Sequence, residues 1–233
     1  MQALFSTNPP LIPIQGTTVG FPVRRIYCVA RNYAEHAREM GATGREAPFF
    51  FCKPGDAALP VAVGAIGRLP YPPGTTDLHH EVELVVAIGA TARAVAASAA
   101  SQFIFGYAVG LDMTRRDVQA ALKKLGRPWE LAKAFDFSAP VGSIRRRDET
   151  GPMDRGTIRL TVNGTERQRG DLSDMIWSAA EIVAILSEYY ELKAGDLVFT
   201  GTPAGVGPVV AGDRLVAGIA GLADLSVDIV ARE

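Results

Sequence analysis

The chain has 233 residues, 48% of them hydrophobic and 21% charged, which are the proportions of a folded domain and not of a disordered or fibrous chain. Twenty-four Lys and Arg against twenty-five Asp and Glu leave a formal charge of -1, so bulk electrostatics favour neither nucleic acid nor an anionic membrane as partner. The longest weakly polar stretch, from Val82 to Ala100, is broken by Glu83 and Arg93, whereas a membrane span needs ~20 mostly apolar residues.

The opening MQALFSTNPPLIPIQG lacks the basic start and apolar core of a signal peptide, and its prolines would break a targeting helix. A cytoplasmic protein is expected, with residues 1–24 as an arm and residues 25–233 as one domain. RIYCVA, from Arg25 to Ala30, reads as a strand. NYAEHAREMG follows, capped by Asn32 and closed by Gly41, and reads as a short polar helix with little to hold it by burial. PFFFCKP, from Pro48 to Pro54, is a short aromatic strand bounded by prolines. EVELVVAIG, from Glu81 to Gly89, is a strand of alternating character, and FIFGYAVGLDM, from Phe103 to Met113, is another. Thr114 and Asp117 then predict a capping box for a helix running through Leu125.

ELAKAFDFSAP, around Lys133, suggests an extended and partly buried stretch, and Arg145 to Glu149 a solvated loop. Asn163-Gly164 is the strongest hairpin signal in the chain. Apolar residues at Ile176, Ala180, Val183 and Leu186 predict a helix over 174–189. DLVFTGTPAGVGPV, DRLVAGIAG and ADLSVDIV close the chain as strands joined by Gly-rich turns. The fold class expected is therefore strand-rich α+β. Cys28 and Cys52 form neither a disulfide framework nor a zinc motif.

The sharpest local anomaly is Glu81-Val82-Glu83, because side chains two apart on a strand share a face. Paired carboxylates at the start of an apolar strand repel unless they share a proton or a cation, and a hard divalent ion is the simplest remedy; a solvated edge strand is the alternative. Asp112, at the end of an apolar strand, offers a third carboxylate or else caps the next helix. Arg116 and Gln119 are three apart on that helix and suit a ligand carboxylate. Lys133 in its apolar setting must be paired or shifted, and beside a ligand could stabilise an oxyanion. His36 and Glu39, at i and i+3, form a candidate water-activating dyad. His79 and His80 are rival metal ligands pointing to opposite faces. TGTPAGVG, at Thr200 to Gly207, lacks the ending and the following helix of a P-loop and fits better as a tight loop presenting backbone NH groups and the Thr202 hydroxyl to a carboxylate.

CVARNYAEHAREMG, FFFCKP, HHEVELVVAIG, GLDMTRRDVQ, GRPWELAKAFDFSAPVG, SDMIW and GDLVFTGTPAGVG together resemble, in order, the fumarylacetoacetate hydrolase superfamily, particularly its short acylpyruvase and fumarylpyruvate hydrolase branch. The resemblance implies a mixed β-roll with short flanking helices, normally a homodimer. It implies a divalent metal, usually Mg²⁺ with Mn²⁺ or Ca²⁺ as alternatives, on Glu81, Glu83 and Asp112. It further implies a His36–Glu39 pair on a lid, Lys133 near the substrate oxygens, and carboxylate contacts from Arg116, Gln119 and Thr202. Tyr33 and Lys53 fall in matching segments without an assigned role. Ala30 departs from the family pattern, where glycine is expected, with a shifted lid hinge as the consequence. The activity implied is hydrolysis of a carbon–carbon bond in a small 2,4-diketo acid, first of all fumarylpyruvate to fumarate and pyruvate in aromatic catabolism. Oxaloacetate decarboxylation, isomerisation or decarboxylation of a hydroxy-diacid, and a non-catalytic metal-binding scaffold are the alternatives.

Overall fold

The structure, a computed structural model, describes residue 4 and residues 7–33 and 46–232. At its centre is an eight-stranded mixed sheet. Its main path runs Phe49–Pro54, Arg25–Ala30, Leu197–Phe199, Val82–Ile88, Ile104–Leu111, Ala139–Val141, Ala58–Pro60, with Arg145–Arg146 also pairing to Ile104–Leu111. A five-stranded sheet, ordered Thr165–Asp171, Thr157–Val162, Arg214–Ile219, Leu225–Val230, Ile66–Pro70, packs against it. The strand-rich α+β class read from the sequence is the class observed.

Alternation along Val82–Ile88 does not separate core from solvent, as expected; every residue of this strand is buried. The two faces instead serve two cores. Val82, Leu84, Val86 and Ile88 join Ile158, Leu160, Leu215 and the helix residues Ile182, Val183 and Leu186. Val85 and Ala87 join Ile26, Ala108, Val141, Ile144 and Phe199, together with Ile12 and Phe21 from a hairpin of Leu11–Pro13 and Gly20–Pro22. Burying the strand on both sides makes its carboxylates expensive, and it excludes the solvated-edge alternative.

Several boundaries differ from the sequence reading. The helix expected over 174–189 begins at Ala179, because the Ser178 side chain caps the Glu181 NH while the Glu181 carboxylate returns to the Ser178 NH. Met175 is extended and bridged to Tyr33, and Ile176 and Trp177 form a bend before the cap. The capping box expected at Thr114 and Asp117 is absent: Thr114 donates to the Asp112 carbonyl, while Asp117 accepts from the Thr75 hydroxyl and the Thr76 NH. Arg116–Lys124 is helical nonetheless. Lys133 ends a short helical turn, Glu130–Lys133, and is not extended. Arg145–Arg146 pairs with Tyr107 and Gly106 and leads into the turn Arg147–Thr150, so this segment is not a free loop.

The Asn163-Gly164 hairpin forms as read, with φ of 51° and 78° at the two turn residues, the left-handed pair that a type I′ turn demands. Both cysteines are free thiols. Among the described residues no helix is long and apolar enough to cross a membrane.

Candidate active site

Antiparallel register assembles the acidic cluster. Val82 pairs with Leu111 and Glu83 with Gly110, and the Asp112 NH donates to the Glu81 carbonyl at 2.9 Å. Glu81 and Asp112 are thus cross-strand neighbours on the face that Glu83 occupies one step further along. Opposite Glu83 stands a glycine; a Cβ there would fall 2.4 Å from Val85 Cγ2 and 2.8 Å from Phe199 Cε1. Each of the three acids offers one oxygen within 4.8 Å of the others, and all three side chains are buried.

Cations surround them. Lys133 Nζ donates to Glu81 Oε2 at 2.8 Å and to Asp112 Oδ2 at 2.7 Å. Arg116 Nη2 donates to Glu81 Oε1 at 2.6 Å, and its Nη1 to Gln119 Oε1 at 2.5 Å. The Gly201 NH donates to Glu83 Oε2 at 2.7 Å, from a left-handed φ of 95° at which a Cβ would meet Asn32. Burial pushes the Glu83 carboxyl well up, and the charges of Asp112 and Glu81 add to the effect. Burial alone would lower the Lys133 ammonium; the Asp112 and Glu81 carboxylates outweigh it and leave the group raised, hence charged.

Three buried carboxylates suit a hard divalent cation with oxygen ligands. One atom tests the fit: Asp112 Oδ1 accepts no hydrogen bond among the described residues, although Lys53 Nζ lies 2.8 Å away. The Lys53 ammonium spends its protons elsewhere, on the carbonyls of Met113, Lys133 and Ser138. A buried carboxylate oxygen with lone pairs to offer is what a metal ligand requires.

Thr202 and Gln119 complete the pocket wall with Lys133, Phe51 and Trp129. The structure therefore brings together Glu81, Glu83, Asp112, Arg116, Gln119, Lys133 and Thr202. His36 and Glu39 lie outside the described residues, as does any effect of Ala30 on a lid. His80 turns to Gln168 Oε1 at 2.8 Å, and His79 to Asp77 Oδ1 at 2.8 Å; neither belongs to the acidic cluster. Burial lowers both imidazoles.

Two functional candidates carry little or no sequence signal of their role. Lys53 stands out as one of five lysines in the chain, but its carbonyl cage comes from segments 60 to 85 positions away. Gln168 sits in a polar strand and nothing in its neighbourhood marks it.

The model of the family described as "Fumarylacetoacetate (FAA) hydrolase C-terminal" matches residues 25–230. The chain belongs to the fumarylacetoacetate hydrolase family. Among fumarylacetoacetate hydrolase relatives, the oxaloacetate tautomerase YcgM of Escherichia coli K12 is 45% identical over 202 residues, covering 86% of this chain and 90% of the relative. The human mitochondrial oxaloacetate tautomerase FAHD1 is 42% identical over 203 residues, covering 87% and 90%. Among solved structures, fumarylpyruvate hydrolase from Pseudomonas aeruginosa, in complex with Mn²⁺ and pyruvate, superposes with a TM-score of 0.97 at 51% identity, covering 99% of this chain and 100% of the other. The 5-carboxymethyl-2-hydroxymuconate delta-isomerase of Mycobacterium smegmatis gives a TM-score of 0.78 at 33% identity, covering 92% and 81%. The protein is thus an enzyme of a superfamily whose members include hydrolases, tautomerases and isomerases, and its acidic triad supports a divalent metal.

Proposed function

We propose that the protein hydrolyses fumarylpyruvate to fumarate and pyruvate. The observation that carries this reading is the 51% identity and end-to-end match to a fumarylpyruvate hydrolase, which extends over 99% of this chain and 100% of the other.

Glu81, Glu83 and Asp112 would hold the metal, Mg²⁺ in this proposal, which supplies Lewis acidity to the 2-oxo acid end of the substrate. Thr202, Gln119 and Arg116 orient the carboxylate at that end. The Lys133 ammonium, held charged between two carboxylates, faces the oxygens on which negative charge develops. His36, oriented by Glu39, takes a proton from water as the oxygen attacks the distal ketone. The carbon–carbon bond then breaks, its electron pair leaves as the enolate of pyruvate, and the proton removed from water returns to the enolate carbon. The proposal includes a cytoplasmic homodimer acting in aromatic-ring catabolism.

Oxaloacetate tautomerisation is the second reading, favoured by 45% identity to YcgM. It needs the same grip on a 2-oxo acid but no attacking water. The test follows fumarylpyruvate absorbance, pyruvate release and oxaloacetate keto–enol exchange with chelator-stripped protein, before and after Mg²⁺ or Mn²⁺ is restored. Metal-dependent pyruvate release, abolished in Glu83→Gln and in His36→Ala, is the expected result. Loss of fumarylpyruvate cleavage with fast oxaloacetate exchange would transfer the function to the tautomerase reading.

A further inference from the structure

Gln168 is fully buried in a strand, Thr165–Asp171, whose other side chains are exposed or half-buried. A register shift sets it inward: Leu160 pairs with Gln168 but Thr161 pairs with Glu166, so Arg167 is an extra residue. Bulges of this kind re-aim side chains next to functional sites. The re-aimed amide uses all four of its hydrogen-bonding positions. Oε1 accepts from the Val82 NH at 3.1 Å and from His80 Nδ1 at 2.8 Å, while Nε2 donates to the Pro203 carbonyl at 2.9 Å and to Thr202 Oγ1 at 2.8 Å.

The amide cannot be turned over. A backbone NH can only donate and a carbonyl can only accept, so Val82 fixes the oxygen end and Pro203 the nitrogen end. Thr202 Oγ1 is therefore an acceptor toward Gln168, and its single proton is left for another partner. Among the described residues no acceptor takes it, and Thr202 lines the pocket beside Glu81, Glu83, Asp112 and Lys133. The same amide grips the backbone between Glu81 and Glu83 through Val82. Where the acids sit and which way the hydroxyl points are set by one side chain.

Resting on the reading of the pocket as a 2-oxo acid site, we infer that Gln168 is a positioning residue that makes Thr202 an obligatory hydrogen-bond donor to the ligand's carboxylate. The ligand group at this point must be an acceptor, and an anionic oxygen gains most from a donor that cannot rotate away.

Pyruvate titrated calorimetrically into Mn²⁺-loaded protein tests this. Thr202→Val and Gln168→Met should each weaken binding about tenfold, the worth of one hydrogen bond to a charged group. Adding Thr202→Val to Gln168→Met should weaken binding by no more than about a further twofold, because the hydroxyl it removes has already lost its orientation. Thr202→Ser, which keeps the hydroxyl, should stay within about threefold of wild type. Unchanged binding in Gln168→Met, losses that multiply in the double variant, or no pyruvate binding to wild type would each overturn the inference. A second measurement needs no variant and no metal: nitrogen-detected NMR of stripped wild-type protein should place the neutral His80 proton on Nδ1. A proton on Nε2 would set a lone pair against Gln168 Oε1 and overturn the arrangement. Fumarylpyruvate turnover by wild type is scored separately, so failure of the substrate assignment leaves the pyruvate cycle decisive for Gln168.

Discussion

Lys133 is both a stabilising cation and a competitor for the site it serves. Its ammonium bonds Glu81 and Asp112 at 2.8 and 2.7 Å, satisfying carboxylates whose burial would otherwise be costly. Those are also oxygens a divalent ion would use. Replacing Lys133 with Met leaves two buried carboxylates short of a partner, and the stripped variant should lose about 3–5 kcal/mol in urea unfolding. Removing a positive charge a few ångströms from the ligands should at the same time tighten Mn²⁺ binding at least ~10-fold by calorimetry, while pyruvate release collapses. Unchanged or weaker Mn²⁺ binding would show that the ammonium does not contest the carboxylate oxygens.

At the same scale, residue identity alone announced much of the site. Two glutamates alternating in an apolar strand, and an aspartate ending the next one, mark a charge anomaly readable without coordinates. Gln168 and the cage around Lys53 were not readable. Their meaning resides in a register shift and in carbonyls contributed from distant positions, and neither leaves a local pattern of residue types. Arg116 lies between these cases: its helical spacing with Gln119 was legible, its engagement with Glu81 was not.

Among elements, the pairing of Val82–Ile88 with Ile104–Leu111 carries the site. Gly110 faces Glu83 across that pair, where a side chain would meet Val85 and Phe199. Gly110→Ala should cost about 1–3 kcal/mol by overpacking, and since the strain falls beside Glu83 it should also weaken Mn²⁺ binding. Equal destabilisation with metal affinity intact would mean that the strand pair relaxes away from the acids. Element type was legible wherever local chemistry decides it, as at Asn163-Gly164. Boundaries moved where a later signal was stronger: Ser178 with Glu181 is a complete capping box, and it displaced the helix start expected near Asp174. The short strands Ala58–Pro60, Ile66–Pro70 and Leu78–His80 escaped notice because tertiary pairing, and no periodic pattern, makes them strands.

Across the whole molecule, one sheet with a core on each face explains why the acids are buried and why their neighbours come from all over the chain. Gly201, Gln119, Lys133 and Lys53 converge on a strand pair that begins at Val82. The alternation seen in the sequence was real, but it sorted side chains between two cores instead of between core and solvent, and no single strand encodes the presence of a second core.

The cross-strand origin of the acids has a kinetic corollary. Glu81 and Glu83 meet Asp112 only once the central strands are in register, so a chain still searching for that pairing has no place to grip an ion. Metal should bind after the folding barrier and not before it. In stopped-flow denaturant jumps, saturating Mn²⁺ should leave the refolding rate unchanged and slow unfolding in proportion to the stability it adds; faster refolding would place the strand pair in the transition state. A protein built this way would have its lifetime, and not only its turnover, governed by the free metal around it.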